Sequence, residues 1–179
     1  MGDRRKARGF SLIELMVVVI IVGILAGMSV FGYRNFSMKN EINNQTRAIY
    51  ADLIKLRMMA MRGNRMTFME LTPNNYIGYV DTNENGLLDT DTDAVVLQAD
   101  KNPDVLFTSN GMFVHPVSYS GGGFISFNER GFSSTTCTIC IFSNVNPSYD
   151  CIKVSQTKIN LGKIKNQSSG CTNANCETR

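Results

Sequence analysis

The pattern of apolar and polar residues divides the chain into one long helix and a region of short strands. From Phe10 to Phe31 there are 22 residues and a single charged one, Glu14. At about 1.5 Å per residue this segment predicts a helix of roughly 33 Å, enough to cross a hydrocarbon core of about 30 Å. Basic residues precede it, so we expect its N-terminal end in the cytoplasm and the remainder on the far side. They are Arg4, Arg5, Lys6 and Arg8.

Past Gly32 the helix is predicted to continue with an amphipathic pattern. One row of residues at a spacing of seven is Ile42, Ile49 and Leu56, and a second row between them is Thr46, Leu53 and Ala60. This stripe predicts a face buried against a globular head, with the charged residues, Asp52 among them, mostly off it. We therefore predict one helix from about Ser11 to Arg62, stopped at Gly63-Asn64.

From Arg65 the period changes toward two, which is typical of strands. The predicted strands are Met66 to Leu71, Tyr76 to Val80, Ala94 to Gln98, Val105 to Phe107, Met112 to Pro116, Phe124 to Phe127, Thr135 to Phe142 and Ile152 to Thr157. The fold class is therefore α+β, a long N-terminal α-helix with an antiparallel, sandwich-like C-terminal β head. The tail from Asn166 to Arg179 is polar and is predicted to be irregular apart from its cysteines.

Glu14 is the residue that a plain membrane anchor does not explain. A carboxylate inside an apolar helix costs about 2.5–3.5 kcal/mol on insertion scales, and such residues usually have a function. Cleavage after Gly9 would create an α-amino group on Phe10, one helical turn before Glu14. A secretory signal peptide would instead have a shorter apolar region, followed by a small-residue cleavage site.

The basic leader, the Gly9-Phe10 junction and Glu14 together resemble the type IV prepilin signal. The resemblance implies that a membrane prepilin peptidase cuts after Gly9 and methylates Phe10, and that Glu14 aligns the subunit in a filament. It divides the chain into a cleaved leader (1–9), a transmembrane and filament-core helix (10–32), an amphipathic helix packed on the head (33–63) and a β-rich head with a cysteine-rich end (64–179).

This resemblance also implies a set of partners and a location. The partners are other pilins or pseudopilins, the prepilin peptidase, an inner-membrane assembly platform and membrane lipid. The subunit would span the bacterial inner membrane once, with its head periplasmic or extracellular, before it joins a filament.

Three segments of the head resemble the GspH/FimT-type minor pilins and pseudopilins. They are Asp81-Thr82-Asn83-Glu84-Asn85-Gly86, Phe127-Asn128-Glu129-Arg130-Gly131 and Gly162-Lys163-Ile164-Lys165. The last has lysine where arginine is usual in that branch, and the cysteine-rich end is not general there. The implied function is a subunit of a type IV pilus or of a type II secretion pseudopilus, and the sequence leaves both open.

DNA capture is the alternative function, because some FimT-like minor pilins bind DNA through a basic C-terminal region. The candidate residues here are Lys158, Lys163 and Lys165. The leader holds four of the 18 basic residues and one of the 15 acidic ones, so 14 of each follow it. This balance argues against a large basic surface for nucleic acid.

The hairpin segment that begins at Asp81 also has the spacing of a calcium loop. Asp81, Asn83, Asn85 and Asp89 stand at ligand positions, and Gly86 stands at the sharp turn. Position twelve is Thr92 rather than glutamate, and the alternative is an Asn-Gly hairpin turn without a cation.

No other cofactor is predicted. Catalysis has no support either, because the single histidine, His115, has no evident catalytic partners.

All five cysteines lie in the last 43 residues, and on the exported side of a membrane such a cluster predicts disulfides. Short separations favour Cys140–Cys151 and Cys171–Cys176, which leaves Cys137 unpaired and facing the other way. The competing pattern joins Cys137 to Cys171 or Cys176. A zinc site made of Cys137, Cys140, Cys171 and Cys176 is the further alternative, but no histidine is near and export favours oxidation.

Overall fold

The computed structural model describes residues 11–72, 75–98, 118–121 and 123–179, apart from the side chains of 28–31 and 98. In these described residues one helix, α1, spans Leu12–Gly63, within a residue of the predicted bounds. Asn64 ends it in the left-handed conformation with a φ of 50°, and the Arg65 N–H donates to the Ala60 carbonyl at 3.3 Å. This arrangement is a Schellman cap, so the predicted stop is formed by asparagine rather than by Gly63.

The chain divides after Ser37 into two compact units. The first contains the apolar part of α1, and the second contains the rest of α1 and the head.

Nine strands form two antiparallel sheets in the described part of the head. The first sheet has the order β3-β2-β1-β5 and the second the order β4-β6-β7-β8-β9. The strands are β1 Thr67–Leu71, β2 Tyr76–Val80, β3 Ala94–Gln98, β4 Ser118–Ser120, β5 Phe124–Phe127, β6 Cys137–Cys140, β7 Cys151–Val154, β8 Ile159–Ile164 and β9 Cys176–Thr178. One helix followed by antiparallel sheets confirms the predicted α+β class.

The main core lies where the second half of α1 meets both sheets. The helix contributes the predicted stripe, of which Ile42, Ile49, Leu53, Leu56 and Ala60 are fully shielded from solvent. The first sheet adds Met69, Leu71, Tyr76, Leu97, Ile125 and Phe127. The second sheet adds Cys137, Ile139, Ile152, Val154 and Ile159, and Ile141 joins them directly after β6. Each large apolar side chain buried in this way contributes about 1.5–3 kcal/mol, so the amphipathic stripe is what joins the helix to the head.

The predicted strands agree with the structure early in the head and less well later. β2, β3 and β5 have the predicted bounds, and β1, β6 and β7 are shorter or shifted by a few residues. β4, β8 and β9 were not predicted, and the predictions Val105 to Phe107 and Met112 to Pro116 lie outside the described residues. The prediction of an irregular tail is wrong at the end of the chain, because β9 pairs with β8 through Lys163↔Glu177 and Ile164↔Cys176.

The outer face of the second sheet carries a second core held by two disulfides. Cys140 bonds Cys171 and Cys151 bonds Cys176, with Cα–Cα distances of 5.7 and 6.0 Å. Ile164, Phe142 and these cysteines form the cluster. Among the described cysteines, only Cys137 has no bridge, and it lies in the main core on the opposite face of β6.

The predicted local disulfides, Cys140–Cys151 and Cys171–Cys176, are therefore wrong. The competing prediction of a bridge from Cys137 is wrong too. Cys140 and Cys151 are register partners on β6 and β7, so they share one face of the sheet. The tail crosses that face and supplies one cysteine to each. The zinc alternative is also wrong, since three of its four thiols are consumed in disulfides.

A buried asparagine explains how so polar a tail can dock. The Asn175 amide nitrogen donates to the carbonyls of Asn166, Ser169 and Gly170 at 2.9–3.2 Å, and its Oδ1 accepts from the Asn166 N–H at 2.9 Å. One side chain thus bonds four backbone groups of the turn and holds the turn against the buried Asn175.

Candidate functional site

The apolar part of α1 is the first candidate site. Every large apolar side chain described from Leu12 to Leu25 is 48–77% exposed. In the described part of the chain, α1 is the one helix whose length and composition would allow it to cross a membrane, with a mean hydropathy of 2.7 in its most apolar window. A continuous apolar surface of this size needs lipid or other apolar helices around it.

Glu14 lies in the first turn of this helix. A carboxylate is favoured there by the positive end of the helix dipole. Gly9 and Phe10, the predicted processing residues, lie outside the described residues. Their cleavage and methylation, and the pairing of Phe10 with Glu14, stay predictions.

The second candidate is the hairpin loop, defined here as residues 81–93 between β2 and β3. Asp81 is buried, and its Oδ2 accepts from the Gly86 N–H at 2.8 Å. Gly86 has a φ of 75°, which glycine adopts without strain. The loop thus turns back on the carboxylate at its first residue.

The other predicted calcium ligands meet in the same loop. Nδ2 of Asn83 and Nδ2 of Asn85 both donate to Asp89 Oδ2, at 3.1 and 2.6 Å. Asp93 uses both carboxylate oxygens on backbone N–H groups, those of Thr82 and Asp89. No group of three or more His, Cys, Asp or Glu side chains among the described residues is arranged to hold a metal. Calcium binding stays a prediction.

The candidate DNA-binding lysines are not gathered into one patch. Lys158 precedes β8 and Lys165 follows it, so about 23 Å of extended chain separates them. Lys163 stands opposite Glu177 in register, and its charge acts on Asp150. Only Lys163 and Lys165 share a side of the strand, and acidic groups lie beside them.

Two buried carboxylates were missed by the sequence reasoning. Asp52, predicted off the buried stripe, lies inside the head and accepts a hydrogen bond from the Tyr76 hydroxyl. Burial raises the pKa of Tyr76 strongly, and the charge and hydrogen bond of Asp52 raise it further. The spacing of Asp52, three residues after Ile49 and four before Leu56, was the available signal.

Asp150 is the second of these carboxylates, and it anchors the tail. Its Oδ1 accepts from the Ile164 N–H at 2.6 Å and its Oδ2 from Gln167 Nε2 at 2.9 Å. Burial raises the pKa of Asp150, and these hydrogen bonds partly offset the effect.

The family described as Type II transport protein GspH matches residues 45–158. The chain belongs to the GspH family. A second match, described as Prokaryotic N-terminal methylation motif, covers residues 4–30. It supports the resemblance drawn from the leader, Gly9-Phe10 and Glu14. The chain therefore belongs to a family of minor pilins and pseudopilins, which is a structural class of protein.

Curated relatives of the chain include two fimbrial proteins. Two proteins named "Probable minor fimbrial protein", from Dichelobacter nodosus, are each 45% identical to the chain over 38 residues. The aligned part is 21% of this chain and 24% of each relative, so the chain spans about a quarter of their length. No solved structure matches.

The family match covers part of this GspH-family head. The hairpin loop lies inside residues 45–158, whereas β8, β9, Cys171 and Cys176 lie beyond them.

Proposed function

We propose that this GspH-family protein is cut after Gly9, methylated on Phe10 and assembled through α1 into a type IV pilus or a type II secretion pseudopilus. The observation that carries the proposal is the exposed apolar surface from Leu12 to Leu25, interrupted by Glu14 alone. Such a surface is satisfied first by lipid in the inner membrane and then by the helices of neighbouring subunits.

Glu14 gives this assembly its register. Transfer of an unpaired carboxylate into an apolar filament core is costly, and a cation within hydrogen-bonding distance removes much of the cost. The new amino group of Phe10 on a neighbouring subunit supplies that cation. A misaligned subunit would leave both charges buried without a partner.

Processing is tested by Gly9→Val, with Gly23→Val as a matched control inside the apolar segment. Intact mass spectrometry of the membrane fraction should show the full precursor for Gly9→Val and the shortened, methylated chain for the unmodified protein and Gly23→Val. Sheared surface filaments should then lack the Gly9→Val chain. Normal mature protein from Gly9→Val would refute the proposal.

The choice between the two assemblies is tested by deleting the gene in its host. Loss of surface filaments and twitching with normal protein export would assign the subunit to a type IV pilus. Retention of folded exoproteins in the periplasm with normal piliation would assign it to type II secretion. Complementation with Glu14→Val should fail in either case.

DNA capture is the second candidate, and Lys163 and Lys165 on one side of β8 support it. We infer a weak, salt-sensitive contact, because Glu177 and Asp150 lie nearby and few phosphates could be neutralised. A gel shift at low salt compares the full chain in detergent with the Lys163→Ala/Lys165→Ala variant. Lys158→Ala is the control, because about 16 Å of extended chain separates it from Lys163 and about 23 Å from Lys165. Absence of a shift by the unmodified chain would end this hypothesis.

A further inference from the structure

The hairpin loop contains one carboxylate oxygen that the protein leaves without a partner. Asp81 is 2% exposed. Its Oδ2 accepts from the Gly86 N–H, but its Oδ1 is shielded from solvent and has no hydrogen-bond donor in the described part of the chain. An unsatisfied buried carboxylate oxygen is unfavourable, and a water or an ion that binds it is the usual explanation.

The neighbouring oxygens are of the kind that a hard divalent cation prefers. Asn83 Oδ1 accepts from the Asn85 N–H at 3.1 Å, and Asn85 Oδ1 accepts from the Leu87 N–H at 2.8 Å. Each amide oxygen has two lone pairs, and each of these bonds uses one. Asp81, Asn83 and Asn85 occupy every second position of the loop, and Gly86 turns the chain immediately after them.

Asp89 supplies the second negative charge. Its Oδ2 accepts two amide N–H groups, from Asn83 and Asn85, so partial positive charge already faces this carboxylate. A cation between Asp81 and Asp89 would replace those two donors. The side chains of Asn83 and Asn85 are exposed and can turn their oxygens toward it.

We propose that the hairpin loop binds one calcium ion. Asp81 Oδ1 is the main ligand of this ion, and oxygens of Asn83, Asn85 and Asp89 are the others. The site has two carboxylates, and Thr92 stands where a bidentate glutamate would be. It therefore belongs with the weak, extracellular class of calcium sites, with a dissociation constant of about 10⁻⁴–10⁻³ M. The ion would hold the β2–β3 hairpin closed, and this inference does not depend on the filament proposal.

Isothermal titration calorimetry of the full chain in detergent, with calcium chloride up to about ten millimolar, tests the site. Asp81→Asn keeps an acceptor for the Gly86 N–H and removes the charge. Asp91→Asn makes the same change at an exposed position of the same loop and is the matched control. We expect one calcium per unmodified chain, affinity reduced about tenfold or more in Asp81→Asn and little changed in Asp91→Asn.

Magnesium chloride should bind more weakly, because magnesium demands stricter octahedral geometry. Absence of calcium heat would overturn the proposal, since the orphan oxygen would then hold only water. Equal binding by Asp81→Asn, or an equal loss in Asp91→Asn, would overturn it too.

A spectroscopic measurement keeps the proposal testable should Asp81→Asn fail to fold. Circular dichroism in chelator first establishes whether that variant is folded. Amide NMR of the unmodified chain then locates any calcium response. Shifts confined to the hairpin loop would support the site, and shifts elsewhere or no shifts would overturn it.

Discussion

A β-carbon on Gly162 would lie 2.8 Å from the sulfur of Cys176 and 3.0 Å from that of Cys151. Gly162 is the register partner of Cys151 on β7 and of Thr178 on β9. The bridge from β7 to β9 therefore passes over β8 at the residue that has no side chain.

Gly162→Ala should consequently disrupt the Cys151–Cys176 bridge or destabilise the head around it. The added carbon would also lie 2.6 Å from the Glu177 carbonyl oxygen. This oxygen belongs to the backbone of β9, so moving it away would disturb the pairing of β8 with β9. Overpacking of this kind costs about 1–3 kcal/mol, and loss of the bridge would add about 2–4 kcal/mol. Thermal unfolding and thiol titration measure the two effects.

Gly170→Ala is the matched control for that substitution, because a β-carbon there meets nothing within 4 Å. It should leave both the melting temperature and the thiol count unchanged. A Gly162→Ala chain with normal stability and both bridges intact would contradict the close approach.

Disulfide connectivity gives a second prediction. Non-reducing peptide mapping of the exported chain should recover Cys140–Cys171 and Cys151–Cys176, with Cys137 as a free thiol. Sequence separations of 31 and 25 correspond to about 3.5 kcal/mol for each bridge in the loop-entropy model. Replacing Cys151 and Cys176 together by serine should thus lower the free energy of unfolding by about 2–4 kcal/mol.

Cys137→Ala serves as the comparison, because it should preserve both bridges. Its own cost should be smaller, since only one buried sulfur is removed. A mapped peptide that contains Cys137 in a bridge would contradict the connectivity.

Glu14→Val should separate membrane insertion from assembly. The variant chain should still be cut after Gly9 and should remain in the membrane, because its helix becomes more apolar. Its share of sheared filaments should fall several-fold relative to the unmodified protein, since the proposed pairing would leave the Phe10 amine of a neighbour without its carboxylate. Leu15→Val, an apolar change at the next residue, is the control, and equal assembly of both variants would argue against a role for Glu14.

Alkaline pH should destabilise the head through Cys137. Burial raises the pKa of this thiol to about 12, whereas the pKa of an exposed cysteine is about 8.5. Between these values the unfolded chain loses a proton that the folded chain keeps, so stability falls as pH rises, by up to about 1.4 kcal/mol per pH unit. Thermal unfolding followed by near-ultraviolet circular dichroism from pH 8 to 11 should show a shallower decline for Cys137→Ala.

Tyr76→Phe distinguishes a second contribution to the same decline. The pKa of Tyr76 is raised as well, so its effect begins above about pH 10. The variant should lose that part of the slope, but it should be less stable at neutral pH by about 1–3 kcal/mol, because the hydrogen bond to Asp52 is removed. An unchanged slope in both variants would contradict the assignment.

The helix and the early strands could be predicted from the sequence because local signals define them. The stripe through Ile49 and Leu56 specifies a buried face, and turn residues bracket β2 and β3. β8 was missed because Gly162 and Lys163 interrupt its apolar pattern. β9 has three residues, two of them polar, so it has no apolar pattern of its own. It forms a strand because β8 provides a sheet edge with which it pairs.

Features that depend on distant partners could not be predicted in this way. The spacing of Asp52 places it on the buried stripe, but its charge argued for the surface, and its partner Tyr76 comes from another element. The disulfides depend on the path of the tail, which Asn175 sets through hydrogen bonds that leave no periodic signal. The ligand spacing of the hairpin loop was visible, whereas the unpartnered oxygen of Asp81 was not.

The shared face of Cys140 and Cys151 has a consequence for how the head matures. These two residues precede Cys171 and Cys176 in the chain and become register neighbours as soon as β6 and β7 pair. If β6 and β7 pair in an oxidising compartment before the tail docks, these two thiols meet each other before either final partner arrives. A bond formed at that stage must be exchanged through a mixed disulfide when the tail docks. The rate at which this subunit becomes ready for assembly would therefore depend on thiol exchange, and on any isomerase that accelerates it.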